Sequence, residues 1–307
     1  MKKCLVVYNA KSGRGIKEKT LTEIVNTIKK KNYEVEAIKT EYQGHASEIV
    51  KNTEYVDLVI SIGGDGTCNE VVDGNLKRKD RLLTSHIPLG TTNDVGYMFG
   101  LTKSIFKNLD LILNGKPRTI DVCTINDKAF VYVAGFGKFM NVPYETPREL
   151  KKRLGYIAYL IEGIKEFNDK TKSYEISINV NNEEYKGFYS FIIISSANHI
   201  AGINNFYKDV KLDDKKIEVL MCNITKKSDI IKSLYYLKTH DITKIPGFYF
   251  YRTNHINFKF KDLENSNWCI DGEEYKSNEK NYDIKVIEDY QMLLPKIIDK
   301  NLFVKND

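Results

Sequence analysis

Apolar residues in the first third of the chain recur at two alternating spacings. Residues 4–8, CLVVY, form a short apolar run of strand type, while Thr20 to Lys31 carries Leu21, Ile24, Val25 and Ile28 at helical spacing. The stretch 33–40, YEVEAIKT, returns to a strand pattern, 46–52 to a helix, and 56–62 to a third buried strand. This β-α-β-α-β succession predicts a mostly parallel sheet with right-handed crossovers and helices on both faces.

Beyond Gly115-Lys-Pro-Arg118 the texture changes. Strand-like runs fall at 118–125, 129–134, 173–180, 188–195, 216–222, 247–252, 255–261, 268–270 and 282–288. Many strands with few helices predict an antiparallel second domain of sandwich type. One long helix, Pro147 to Phe167, is expected to interrupt it. The tail from Gln291 to Phe303, apolar at Met292, Leu293, Ile297, Ile298 and Leu302, is expected to pack back on the first domain. The division that follows is 1–125 with 291–307, and 126–290, without internal repeats or a low-complexity linker.

A length of 307 residues suits about two such domains. Apolar residues at 42% and charged residues at 29% argue against a disordered, collagenous or fibrous chain. The net charge of +6 favours nucleic acid, anionic lipid or phosphate ligands without choosing among them. That charge is dispersed and no helix-turn-helix, zinc finger or RNP-like aromatic pair is apparent, so no nucleic-acid partner is expected. Cys4, Cys68, Cys123, Cys222 and Cys269 are widely spaced and never form C-x-x-C, which predicts reduced thiols, no structural zinc and a cytoplasmic location.

The apolar stretch of the N-terminus, MKKCLVVYNAKSG, is too short for a signal peptide. The longest run free of Asp, Glu, Lys and Arg, Gly187 to Tyr207, has the length to cross a bilayer. Ser195, Ser196, Asn198, His199, Asn204 and Asn205 make it too polar. No transmembrane segment is expected, and any membrane contact is peripheral.

Three glycine-bearing turns carry the chemistry. In Val59-Ile-Ser-Ile-Gly63-Gly64-Asp65-Gly66-Thr67-Cys68-Asn69-Glu70 a buried strand enters three glycines and then a helix, which offers backbone N–H groups and a positive helix end to an anion. Asp65 is placed to bind a metal or accept a proton; a solvated Asp in a plain glycine turn is the alternative. A second turn, Asn9-Ala10-Lys11-Ser12-Gly13-Arg14-Gly15, fits neither the Walker pattern nor G-x-G-x-x-G. Its Lys11 and Arg14 suit terminal phosphates, and a helix cap by Ser12 is the competing reading. The third, Pro88-Leu89-Gly90-Thr91-Thr92-Asn93-Asp94, lines the carboxyl end of a strand, where open α/β sheets bind ligands. Together the three imply a nucleotide crevice.

With these motifs the sequence resembles the diacylglycerol kinase-like lipid kinases, the bacterial branch related to sphingosine and ceramide kinases. Gly63-Gly64-Asp65-Gly66-Thr67 with Asn69-Glu70 looks like that family's phosphate-binding motif, and Pro88 to Asp94 like its second. Thr40 with Gly44-His45-Ala46, Ile120-Asp121, Lys211-Leu212-Asp213-Asp214 and Asp271-Gly272-Glu273 extend the likeness over nearly the whole chain. Gly-Gly-Asp-Gly-Thr alone also occurs in NAD kinases and phosphofructokinases.

The resemblance implies an α/β plus all-β, NAD-kinase-like two-domain fold, with a Rossmann-like nucleotide domain and a β-sandwich domain for the lipid. It implies transfer of the γ-phosphoryl group of ATP to a lipid hydroxyl with Mg2+. By match, Asn9, Ser12, Gly13, Arg14, Thr40, Gly63, Gly64, Gly66, Thr67, Glu70, Thr91 and Asn93 contact ATP. Asp65 holds catalytic magnesium, Asp271 is the candidate base, and Glu273 assists metal or base. Asn93, Asp94 and Asp121 lie near the lipid head; for Asp121 an ordinary strand-end turn residue is the alternative. His45 is either a phosphate contact or a helix-start residue supporting Thr40.

Asp213 and Asp214 resemble a structural magnesium site, although Lys215 stands where a glycine is usual. Ala10 replaces a usual proline and Cys68 an aliphatic residue. The loop from Gly135 to Phe139 bears on which lipid enters.

Two segments are candidates for peripheral contact with the inner face of the membrane. One is the basic start of the 147–167 helix, with Arg148, Lys151, Lys152 and Arg153; the other is Phe248 to Tyr251, near Lys238 and Lys244. Packing inside the sandwich competes with both. Diacylglycerol, giving phosphatidic acid, is the simplest acceptor; phosphatidylglycerol, an undecaprenol-like alcohol and a sphingoid base remain open. A soluble NAD kinase and a non-catalytic nucleotide- or lipid-binding regulator are the competing classes, and a homodimer is left open.

Overall fold

The computed structural model describes residues 1–13, 15–90, 93–137, 173–197, 199–200, 203–204, 207, 209–224, 226, 229, 246–262 and 266–304. The helix expected over 147–167 lies outside them, as do Lys238 and Lys244. The chain forms two compact units. The first holds Met1–Val122, Lys128–Val131 and Ile287–Asp307, and the second Cys123–Asp127 and Tyr132–Val286.

The first third folds as strand and helix in turn: β1 (Lys2–Tyr8), α1 (Glu18–Lys29), β2 (Tyr33–Lys39), α2 (His45–Asn52), β3 (Leu58–Gly63), α3 (Asp65–Leu76), β4 (Thr84–Pro88), α4 (Asp94–Met98) and α5 (Ile105–Leu113). β5 (Lys116–Ile125) and β6 (Lys128–Phe130) follow. The sheet of the first unit runs β2-β1-β3-β4, all parallel. Every residue of β3 and β4 is buried, because helices cover both faces. One core cluster joins Leu5, Val7 and Val59 of the sheet to Ala46 and Val50 of α2 and Val71 of α3.

The second unit contains β7 (Val133–Gly137), β8 (Tyr174–Val180), β9 (Glu183–Tyr189), β10 (Phe191–Ser195), β11 (His199–Ile200), β12 (Ile203–Asn204), β13 (Ile217–Cys222), β14 (Phe248–Thr253), β15 (His255–Phe260), β16 (Ser266–Ile270) and β17 (Glu273–Ser277). β18 (Asn281–Leu294) begins there and ends in the first unit. One sheet has the order β14-β13-β10-β7-β16-β17 and is antiparallel throughout. Opposite it lie the start of β18, β15, β8 and β9. Aromatic rings fill the space between: Phe136 meets Phe260 at 4.7 Å, and Trp268 meets Tyr282 at 5.0 Å. Each such buried ring contributes roughly 2–3 kcal/mol by leaving water.

Three of the differences from the expected runs have a reason in the backbone hydrogen bonding. The run 129–134 splits because the amides of Tyr132 and Val133 turn to the carboxylate of Asp271. The run 188–195 breaks at Ser190, whose N–H donates to the Cys222 carbonyl at 2.7 Å. The last strand continues to Leu294, pairing Met292 in parallel with Thr84 of β4, so the apolar tail begins as strand.

Candidate active site

Register sets out the site. Tyr8 at the end of β1 pairs with Ile62, and Gly63 at the end of β3 pairs with Pro88 at the end of β4. The carboxyl ends of three adjacent parallel strands therefore finish together. In a 2-1-3-4 order the connections reverse direction between β1 and β3, which opens a crevice for ligands at those ends.

The three turns pack on one another there. Asn9 N–H donates to the Ile62 carbonyl at 2.9 Å, Gly64 N–H to the Ser12 hydroxyl at 3.3 Å, and Leu89 N–H to the Gly63 carbonyl at 2.6 Å. Gly13 has φ +60 and sits so close to the third turn that a Cβ there would stand 2.0 Å from the Leu89 oxygen. A Cβ on Gly90 would meet the Gly64 Cα at 2.9 Å. These glycines let backbone lie against backbone, so N–H groups rather than side chains line the cradle.

Asp65 opens α3 and is buried. Its Oδ2 accepts the Asp94 N–H at 3.0 Å and its Oδ1 the Val95 N–H at 3.2 Å. A negative group at the start of α4 satisfies donors that a helix leaves open. Asn93 holds a left-handed conformation, φ 56, and donates from Nδ2 to the Gly90 carbonyl at 3.0 Å; its Oδ1 is buried without a hydrogen-bond partner among the described residues. Thr67 closes over Gly63, where a Cβ would lie 2.4 Å from its hydroxyl.

Other expected nucleotide residues do structural work in the same unit. Glu70 accepts from Gly44 N–H at 2.7 Å and Ala46 N–H at 3.2 Å, tying the start of α2 to α3. Thr40 N–H donates to the Tyr8 carbonyl at 2.9 Å, which fixes it beside the first turn. His45 accepts the Glu41 N–H at 3.1 Å and stacks on Tyr42 at 4.5 Å. Arg14 and Thr91 lie outside the described residues. Asp121 is buried inside β5 rather than at a strand end.

Two participants escaped sequence reasoning. The Val95 amide belongs to the cradle, and no local signal in the sequence marks a backbone amide. Asp73 was also unmarked. It accepts from Lys77 at 2.6 Å, Ser47 at 2.8 Å and Ala129 N–H at 3.1 Å. Burial would raise its carboxyl, but Lys77, Lys128 and those hydrogen bonds outweigh burial and hold it below the ordinary range.

In the second unit Asp271 and Gly272 form a left-handed pair, φ 45 and 85, between Ile270 and Glu273. Asp-Gly is the usual sequence of such a hairpin turn. Asp271 is 2% exposed, and its Oδ1 accepts Tyr132 N–H at 2.9 Å and Val133 N–H at 3.0 Å. Glu273 is exposed.

Asp213 and Asp214 are half-buried just before β13, with Asp214 accepting the Lys216 N–H at 3.1 Å. Burial raises the Asp214 carboxyl against the pull of Arg252, and pushes nearby Glu218 up to about 7. Among the described residues no group of three or more His, Cys, Asp or Glu is arranged to hold a metal by itself.

A backbone-lined cradle at the carboxyl end of a parallel sheet, flanked by buried carboxylates, defines a nucleotide-dependent phosphotransferase. The family profile described as Diacylglycerol kinase catalytic domain matches residues 3–125. A diacylglycerol kinase of Bacillus subtilis (strain 168) is 30% identical over 76% of this chain and 77% of its own. One from Staphylococcus epidermidis (strain ATCC 12228) is 28% identical over 100% of this chain and 96% of its own. A crystal structure from Bacillus anthracis superposes with a TM-score of 0.76 at 23% identity, over 95% of this chain and 97% of that one. A second, of a diacylglycerol kinase from the same organism, gives 0.72 at 20% over the same shares. The chain belongs to the diacylglycerol kinase family, and its two-domain fold is of the NAD-kinase-like type.

Proposed function

We propose that this protein transfers the γ-phosphoryl group of ATP to the hydroxyl of diacylglycerol, releasing ADP and phosphatidic acid. The observation that carries this reading is the packing of three strand-end turns into one cradle, seen at Gly13–Leu89 and Gly64–Gly90. Phosphoryl transfer asks a protein chiefly for positioning and charge neutralisation. The amides at the start of α3 and the Thr67 hydroxyl supply donors for phosphate oxygens. The Asn93 Oδ1, without a partner among the described residues, is suited to a donor on the nucleotide or on bound water.

The family implies magnesium, and the donor set suits it. Asp65 and Asp94 are buried carboxylates beside the cradle, and magnesium prefers one or two carboxylates with phosphate oxygens and water. Asp65 and Asp94 would hold the ion, which neutralises phosphate charge when bound. Asp271 is the proposed base: it takes the proton of the acceptor hydroxyl as that oxygen bonds to the γ-phosphorus and the bond to the β-phosphate oxygen breaks. Amides on its Oδ1 fix the orientation of the carboxyl group. The first unit carries the nucleotide, with Arg14 and Thr91 contributing, and the second serves the acceptor.

A lipid acceptor requires peripheral contact with a membrane, placed here at its cytoplasmic face. No described helix is long and apolar enough to cross one. Products formed from γ-labelled ATP in mixed micelles test the reading, with diacylglycerol, phosphatidylglycerol, sphingosine and NAD offered separately. Label in phosphatidic acid is expected. Label only in another acceptor, or in none with ATP bound, contradicts it.

A further inference from the structure

Ala129 is held by α3 through both of its backbone groups. The Asn69 Nδ2 donates to the Ala129 carbonyl at 2.8 Å, and the Asp73 Oδ1 accepts the Ala129 N–H at 3.1 Å. Residues four apart share one face of a helix, and the N–H and C=O of one strand residue point to the same side. One stretch of α3 therefore serves both groups, while β6, the strand of Ala129, pairs with β5.

The clamp falls at a particular place along the chain. Lys128–Val131 belongs to the first unit, and the stretches before and after it, Cys123–Asp127 and Tyr132–Val286, belong to the second. Only Phe130 and Val131, both buried, separate Ala129 from Tyr132. Within the second unit the next two amides are the ones on Asp271: Tyr132 N–H and Val133 N–H donate to its Oδ1 at 2.9 and 3.0 Å. The Asp271 N–H returns a bond to the Val133 carbonyl at 2.8 Å, and the Tyr132 carbonyl accepts the Ser195 hydroxyl at 2.8 Å.

We propose that Asp73 is a positioning residue for phosphoryl transfer: it holds Ala129 so that the segment continuing to Tyr132 and Val133 presents its amides to the Asp271 carboxylate in one orientation. This rests on the reading of Asp271 as the base.

The other partners of Asp73 are the Ser47 hydroxyl at 2.8 Å and Lys77 at 2.6 Å. Ser47 ties α3 to α2, and Lys77 balances the charge at the end of α3. The Ala129 bond is the one that reaches the chain leading to Asp271. Burying a charge is costly unless it is paired, and an apolar side chain would fill the space between helices without that cost. What the carboxylate adds is a charged acceptor for Ala129, and such hydrogen bonds are roughly twice as strong as neutral ones.

Steady-state kinetics of the full-length protein, with γ-labelled ATP and diacylglycerol in mixed micelles, test the assignment. Asp73→Ala should lower kcat about tenfold or more, as misplacing a reacting group does, while KM for ATP moves less than about threefold. Asp73→Ser, too short to reach Ala129 but polar toward Ser47, should lose kcat in the same way and carries the test if Asp73→Ala does not fold. Asp73→Asn keeps an oxygen for the Ala129 N–H and should restore most of kcat. Ser47→Ala and Lys77→Met remove the other partners; they should lower the melting temperature and leave kcat within about threefold. In an Asp271→Asn background, Asp73→Ala should lower the residual rate less than about twofold, because effects that pass through one group do not add.

Wild-type kcat in folded Asp73→Ala or Asp73→Ser overturns the proposal and leaves Asp271 as the base. So do an Asp73→Asn as slow as Asp73→Ala, equal losses of kcat in Ser47→Ala and Lys77→Met, and a full further loss in the Asp271→Asn background. Full activity in Asp271→Asn overturns the reading of the base, and the proposal with it.

Discussion

Asp65 and Asp94 are joined through a main-chain bond: the Asp65 Oδ2 accepts the Asp94 N–H at 3.0 Å. With the Val95 N–H on Oδ1, one carboxylate ties the start of α3 to the start of α4. The acidic residue of the glycine motif thus organises the third turn before any nucleotide arrives.

Replacing Asp65 by Asn keeps the shape but sets an amide NH2 where a carboxylate oxygen accepted. Loss of a charged acceptor from a buried amide should lower stability by about 1–3 kcal/mol, read from denaturant unfolding. Phosphoryl transfer should fall by about a hundredfold or more, since charge placement at the phosphates is lost with the carboxylate. Full activity in Asp65→Asn would contradict its role.

Glu70 separates support from contact. Its oxygens hold the Gly44 and Ala46 amides at the start of α2. Glu70→Gln should cost about 1 kcal/mol of stability, as for loss of a helix-terminal anion. ATP affinity should drop by less than about tenfold, equivalent to less than about 1.4 kcal/mol. A larger loss without a change in melting would mean direct contact with the nucleotide.

Much of this site was legible locally. Strand-helix alternation gave the parallel sheet, and each glycine turn follows a strand by a few residues. The hydrogen-bond partners of Glu70 and Asp271 were not legible, because they are remote: Gly44 lies 26 residues from Glu70, and Tyr132 lies 139 from Asp271. Nothing in Glu70 or Asp271 alone names those amides. The split at Ser190 has the same origin, as it depends on Cys222 across the sheet.

His86 provides a pH prediction. It is buried in β4 with Nδ1 2.9 Å from the Ser61 hydroxyl, and burial lowers its pKa from 6.5 to about 3. The folded state therefore excludes a proton that the unfolded chain accepts. Its stabilising contribution is fully present above pH 6.5 and is lost between there and about 3. The slope approaches about 1.4 kcal/mol per pH unit for one proton. Unfolding curves for His86→Gln should be flatter across that window than for the wild type; an identical slope would remove His86 as the cause.

Calorimetric titration of ATP into the wild type, Gly13→Ala and Gly90→Ala is the most direct test of the cradle. The added methyl at Gly13 would stand 2.0 Å from the Leu89 oxygen and the one at Gly90 2.9 Å from the Gly64 Cα. The account predicts ATP binding by the wild type, and a loss of about a hundredfold or more in both variants while circular dichroism still reports a folded chain, as strain of about 1–3 kcal/mol allows. Undiminished ATP binding by folded Gly13→Ala and Gly90→Ala would show that the three turns do not form one nucleotide site.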